Sequence, residues 1–231
     1  LCCAGTVRWR EQLMAQMRQL RSLEADCLFA DCYGGTPYQP CFNHRHEHGL
    51  RVDEEWISHR KFFDKAVAYC KEENRVFAAE VVTDIAAAYT QFIHGLVNVD
   101  FKVGSDAFPA LFRYTFPEVI TTNRGVRHEE GDFARQLRCA LVSGVRIDAE
   151  LYVCRADLSA SPKYAAEVKR YTDTQTAYAE YLLRGKFTVL DASPLPYYIK
   201  RGEFYSEDGT KVLRILYNAA KETTETVCGV S

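Results

Sequence analysis

Two short apolar runs in the chain each close on a carboxylic acid: ADCLFAD ends at Asp31 and RVFAAE ends at Glu80. Both runs are too short for helices and read as buried strands, so both acids are expected at strand ends. Neighbouring parallel strands lie about 4.8 Å apart. Terminal carboxyls on such strands can approach the ~5–5.5 Å separation at which one acid attacks an anomeric carbon and the other protonates the departing oxygen. Asp31 is then the nucleophile and stays ionised. Glu80 is the acid/base and needs a raised pKa, which burial or a nearby carboxylate supplies. A plainer reading stays open at this point, because a strand-terminal Asp also caps turns and a strand-terminal Glu also pairs with Arg.

The stretch LFADCYGGTPYQPCFNHRHEHGL places Tyr33, Cys41, His44, His46 and His48 directly after the first acid. Cysteine and histidine are zinc donors. Three histidines at i, i+2 spacing in an extended segment, however, line one side without closing a tetrahedron. Zinc signatures more often space the second histidine by three to five, and no second Cys/His cluster completes the set. The expectation is no metal and no cofactor, with His44, His46 and His48 contacting sugar hydroxyls or serving structure. A neutral imidazole offers one donor and one acceptor for that purpose. Tyr33, Asp84 (four residues after Glu80) and Arg113 in LFRYTFPE are the other expected substrate contacts. Asp84 reads first as a helix cap rather than a catalytic group, and Arg113 reads equally as a buried ion-pair partner. Asp100, Asp106 and Asp148 are further acids among which the sequence does not choose.

The elements that must position these groups alternate. TVRWREQLMAQMRQLRSLE is an amphipathic helix with Trp9, Leu13, Met17 and Leu20 on one face. DEEWISHRKFFDKAVAYCKEEN is a second, with an acidic start and Trp56, Phe63, Val67 and Cys70 sharing a face. A helix over DIAAAYTQFIHGL, a strand over FPALFRYTFPE, a helix over EGDFARQLRCALVSG and a strand over VRIDAELYV follow. The helix from Pro162 to Gly185 starts on proline and stops on glycine, and carries Tyr164, Val168, Tyr171, Tyr178 and Leu182 as a packing stripe. From Lys186 the chain turns to short β runs broken by turns such as Glu207-Asp208-Gly209. Helix–strand alternation implies an α/β domain with a parallel sheet, either a barrel or an open doubly wound sheet.

Composition narrows the function classes. The 231 residues are 47% hydrophobic and 26% charged, ordinary values for a globular protein. A formal net charge of -2 gives no electrostatic reason to expect nucleic acid or an anionic membrane as partner. Nine cysteines without a CxxC pair suit small apolar fillers in a reducing compartment. Fourteen Tyr and thirteen Phe supply rings for a core or for sugar stacking.

LFADCYGGTPYQPCFNHRHEHG, together with WREQLMAQMRQL, RVFAAE, LFRYTFPE and AEYLLRGKF, resembles large bacterial glycoside-hydrolase-like proteins with a DUF6259-type barrel. The similarity covers most of the chain. It implies a (β/α)8 barrel related in layout to α-amylase-like and endo-α-N-acetylgalactosaminidase-like hydrolases, with the nucleophilic Asp ending strand four and the acid/base Glu ending strand five. Asp31 and Glu80 fall on those positions. Residues 1–185 would then be the carboxyl-terminal part of the barrel, with its amino-terminal half missing, and 186–231 the first strands of an appended β-sandwich. The implied activity is hydrolysis of an oligosaccharide or glycoconjugate with a carbohydrate substrate as partner. The alternatives are a zinc-dependent hydrolase built on the Cys/His loop and a non-catalytic carbohydrate-binding barrel.

Overall fold

The computed structural model describes residues 3–33, 40–81, 83–96, 110–127, 133–150 and 157–230; Asp100 and Asp106 lie outside them. The chain divides into two compact units, Leu1–His94 and Gly95–Ser231.

The first unit opens on α1 (Val7–Ser22), where the Thr6 side chain accepts a hydrogen bond from the Trp9 N–H. That bond satisfies one of the first-turn donors that a helix leaves unpaired. The buried face of α1 is Arg10, Met14 and Met17. Met17 of the expected stripe belongs to it and Leu13 packs against the core, while Leu20 is exposed. Arg10 can be buried because its guanidinium folds back to donate to the carbonyls of Ala4 (3.0 Å) and Gly5 (2.9 Å).

Three strands follow, β1 (Cys27–Ala30), β2 (Val76–Glu80) and β3 (Phe92–Leu96), separated by α2 (Glu54–Glu72) and α3 (Asp84–Tyr89). They pair in parallel, with Leu28 opposite Phe77, Ala30 opposite Ala79, and Ala79 opposite Ile93. Four consecutive buried residues in β2, Phe77 to Glu80, mark a strand covered on both faces. The core joins Met14 and Met17 of α1, Leu28 of β1, Phe77 of β2, and Phe62, Phe63, Ala66 and Cys70 of α2. Each buried Phe, Leu or Met side chain contributes about 1.5–3 kcal/mol through lost apolar surface. The expected helix over residues 84–96 is therefore two elements. It ends at Tyr89, and FIHGL, rich in β-formers, joins the sheet beside β2. Asp84 is not its cap; the Thr83 side chain takes the Ala86 N–H instead.

The second unit contains α4 (Ala110–Thr115), β4 (Ile120–Arg127), α5 (Phe133–Val142), β5 (Arg146–Glu150), α6 (Pro162–Ala177) and α7 (Ala179–Leu182). FPALFRYTFPE, expected as a strand, folds as α4 up to Thr115, and the strand is the following segment β4. Propensity misled here, because aromatic residues are ordinary on a short helix once they have a surface to pack on. β4 and β5 pair in parallel, with a register shift between Asn123 and Val126. The expected helix from Pro162 breaks at Tyr178, which leaves helical geometry (φ -113°, ψ 34°) between α6 and α7. Tyr164 and Tyr171 of the expected stripe are buried, and the Tyr171 hydroxyl donates to the Val145 carbonyl at 2.5 Å.

The β runs after Lys186 form β6 (Lys186–Thr188), β7 (Ile199–Tyr205), β8 (Lys211–Asn218) and β9 (Thr223–Val230), a four-stranded antiparallel sheet in chain order among the described residues. Helix α5 packs on β4, β5, α6, β7 and β8, and five of its residues are buried. Gly202 of β7 lets the sheet meet this helix, since a Cβ there would overlap the Val142 carbonyl oxygen.

His59 on α2 gives the first unit a pH dependence. It is 5% exposed and stacks on Tyr33 with ring centroids 4.4 Å apart. Burial pulls its pKa down to about 4 from the ordinary 6.5. The unfolded chain therefore takes up a proton at a pH where the folded protein holds the ring neutral. Stability from this group is complete above pH 6.5 and is lost as pH falls toward 4, by about 2 kcal/mol at pH 5. Urea midpoints at pH 7 and pH 5 are expected to differ less in His59→Phe than in the parent; equal differences would remove His59 as the cause.

Candidate active site

The register of β1 against β2 decides what meets at their carboxyl ends. Ala30 lies opposite Ala79, so the next residue on each strand, Asp31 and Glu80, are side by side. A carboxylate oxygen of Asp31, a carboxylate oxygen of Glu80 and the Cys32 Sγ all lie within 4.8 Å of one another. The two acids differ in setting. Asp31 is exposed, whereas Glu80 is 3% exposed at the end of a strand buried on both faces.

The backbone turns sharply just beyond each acid. Cys32 has φ 56° and Val81 has φ 71°, both in the left-handed region. For a β-branched residue such as Val81 that conformation costs on the order of 1–3 kcal/mol, and such strain gathers at working sites. The turn at Cys32 aims its N–H at Glu80 Oε2 (2.9 Å), and its Sγ donates to the same oxygen at 3.0 Å. The Val81 N–H donates to the His94 carbonyl at 2.9 Å, tying the end of β2 to β3. Cys32 and His94 were not among the sequence candidates. Cys32 stood beside Asp31 but looked like a filler; His94 lay inside what read as a helix.

The remaining sequence candidates separate. Tyr33 turns its ring into α2, against His59, Phe62 and Phe63. Asp84 lines a groove between α2 and α3 with Trp56, Arg60 and Tyr89. Arg113, 6% exposed, donates to the carbonyls of Val119 (2.5 Å) and Pro117 (3.5 Å) and sits 5.7 Å from the Phe187 ring centre. Burial, as the first cause, lowers its pKa to about 10. It is thus engaged with the turn that follows α4. Asp148 lies within β5. Among the histidines, His44 is exposed, while His46 and His48 turn toward Cys41 and Cys3. The Cys41 thiol is pulled down to about 7, first by a hydrogen bond from the Asn43 backbone, with Cys3, His48 and His46 adding to it.

No protein-family model matches the sequence, and no curated protein does either. Solved structures do match. The α-N-acetylgalactosaminidase NagBb of Bifidobacterium bifidum, in complex with GalNAc, superposes with a TM-score of 0.66 at 13% identity over 97% of this chain. The maltogenic α-amylase AmyB of Thermotoga neapolitana gives 0.54 at 10% identity over 93% of the chain and 54% of its own length. A family GH36 α-galactosidase of Geobacillus stearothermophilus gives 0.52 at 12% identity, covering 94% of this chain and 31% of the enzyme. All three are glycoside hydrolases, and at these identities the likeness is one of fold. The chain spans about a third of NagBb, 35% of its length.

The geometry at Cys32 makes an exposed thiol unreactive. Its pKa is pushed from 9.0 up to about 11, first by its hydrogen bond to Glu80 and then by Asp31. At pH 8 a thiol with that pKa is ionised in only about one molecule in a thousand. Iodoacetamide labelling of Cys32, followed by peptide mass spectrometry, is expected to rise toward a midpoint near pH 11. In Glu80→Gln the midpoint falls back toward 9, because the chief anionic neighbour is gone. Ordinary reactivity in the parent protein would contradict the hydrogen bond.

Proposed function

We propose that this chain carries the catalytic strand ends of a retaining glycoside hydrolase, with Asp31 as nucleophile and Glu80 as acid/base. The observation that carries the reading is the approach of the two carboxyls to within 4.8 Å at the ends of adjacent parallel strands. Retaining enzymes hold their acids about 5–5.5 Å apart, and inverting enzymes about 6.5–9.5 Å to admit a water between them. The exposed Asp31 attacks the anomeric carbon as the glycosidic bond breaks. Glu80 gives its proton to the departing oxygen. Water then enters, Glu80 takes a proton from it, and the hydroxide displaces Asp31 from the sugar with the original configuration restored.

On this reading residues 1–185 belong to the carboxyl-terminal part of a (β/α)8 barrel, and 186–231 begin an appended sandwich. The fold likeness to glycosidases supports it, as does the position of both acids at the carboxyl ends of parallel strands, where barrels bind ligands. His44, exposed in the loop after Asp31, keeps the role of a sugar contact. The names of the matched enzymes make α-linked N-acetylgalactosamine, galactose and glucose the first substrates to try.

The test uses disaccharides of those sugars, whose poor leaving groups need protonation, with the complete protein. Asp31→Asn and Glu80→Gln are each expected to lower kcat/KM by about a thousandfold or more, about 4 kcal/mol of transition-state stabilisation. Azide restores turnover to Asp31→Gly and leaves a glycosyl azide of inverted configuration. Either acid variant turning over within tenfold of the parent would overturn the assignment, and a first-formed product of inverted configuration would overturn retention.

A further inference from the structure

Away from the paired acids, the first unit contains a second cluster with a different chemistry. One donor atom from each of Cys3, Cys41, His46 and His48 lies within 4.8 Å of the other three. We infer that these four side chains form a structural zinc site that staples the segment before α1 to the histidine-rich loop after Asp31. Two thiolates and two imidazoles are a donor set for which zinc is the expected metal.

The distances fit a tetrahedron. Zn–S bonds of about 2.3 Å and Zn–N bonds of about 2.0 Å put neighbouring donors ~3.5 Å apart. Cys3 Sγ lies 3.2 Å from His48 Nε2, and Cys41 Sγ lies 3.3 Å from His46 Nδ1. The His48 ring is held from behind, as metal-bound imidazoles usually are. His48 Nδ1 lies 2.6 Å from the Gly49 carbonyl, a contact in which Nδ1 carries the proton and Nε2 presents its lone pair toward Cys3.

The segment carrying Cys3 is built for this approach. Gly5 lies under the His48 ring so closely that a Cβ there would overlap it. Buried Arg10 fixes the Ala4 and Gly5 carbonyls, and the Thr6 hydroxyl donates to the Cys3 carbonyl at 3.0 Å. Residues 45 apart in sequence are thereby brought into donor contact. Four protein donors complete a tetrahedron with no position left for water or substrate, so the site is structural. That separates it from a zinc hydrolase built on the same loop. His44, which sequence spacing groups with the other two histidines, is exposed and outside the cluster.

The inference is independent of the glycosidase reading and is tested on the complete protein, purified without chelator from zinc-supplemented cells. Elemental analysis is expected to find about one zinc per chain surviving desalting, and X-ray absorption a shell of two sulfurs and two nitrogens. Cys3→Ala and His48→Ala lose the metal and lower Tm by more than about 5 °C; His44→Ala and Asp31→Asn keep both the metal and the parent Tm. If the first two variants fail to fold, the parent decides alone. Mercurial titration of its thiols should then release zinc in step with two equivalents of thiol. Zinc below about a tenth per chain, retention of zinc in Cys3→Ala, loss of it in His44→Ala, or a Cys3–Cys41 disulfide in peptide maps would each overturn the proposal.

Discussion

The parallel pairing of β1 with β2 is the constraint on which the meeting of Asp31 and Glu80 depends. Side chains alternate along a strand, so a slip of one residue would send Glu80 to the opposite face of the sheet and away from Asp31. What opposes the slip is burial on both faces of β2, where Phe77 meets the α2 aromatics and Ala78 and Ala79 are fully buried. Small residues at the middle of the strand and a large one at its start make the register a matter of volume. The aromatic cluster on α2 thus acts at a distance on the acids, by holding the strand that carries one of them.

At the strand ends a single residue links the two acids. Cys32 offers its backbone N–H and its thiol to one oxygen of Glu80 while following Asp31 directly in the chain. Both donors arise from the same left-handed turn. A buried carboxylate needs hydrogen bonds, and here they come from the neighbour of its partner acid. The geometry of the two carboxyls is therefore correlated: moving the Asp31 loop moves the donors that orient Glu80.

The parts of the fold legible from sequence were those whose pattern is local. The strands ending at Asp31 and Glu80 stood out as apolar runs, and α1, α2 and α5 as periodic segments closed by caps or glycine. Two failures have a common cause. FIHGL read as a continuation of α3, and FPALFRYTFPE read as a strand, because short segments take their state from the surface they pack on. The acids were found because carboxylates closing apolar runs are conspicuous. Cys3 was not found, because its partners lie 38 and more residues away and no local spacing rule reaches that far. Arg113 stayed open between a ligand contact and a buried ion pair for a related reason: a buried guanidinium can be satisfied by main-chain carbonyls of a turn that leaves no mark in composition.

Val81 carries a cost in stability. A branched side chain in a left-handed backbone is the choice that stability alone would discard, since glycine or asparagine rests there at lower energy. The turn it makes directly follows Glu80, and its N–H is held by the His94 carbonyl, which ties the end of β2 to β3. In the proposed hydrolase, a glycine at 81 would gain stability at the expense of a freer end to the strand that carries Glu80.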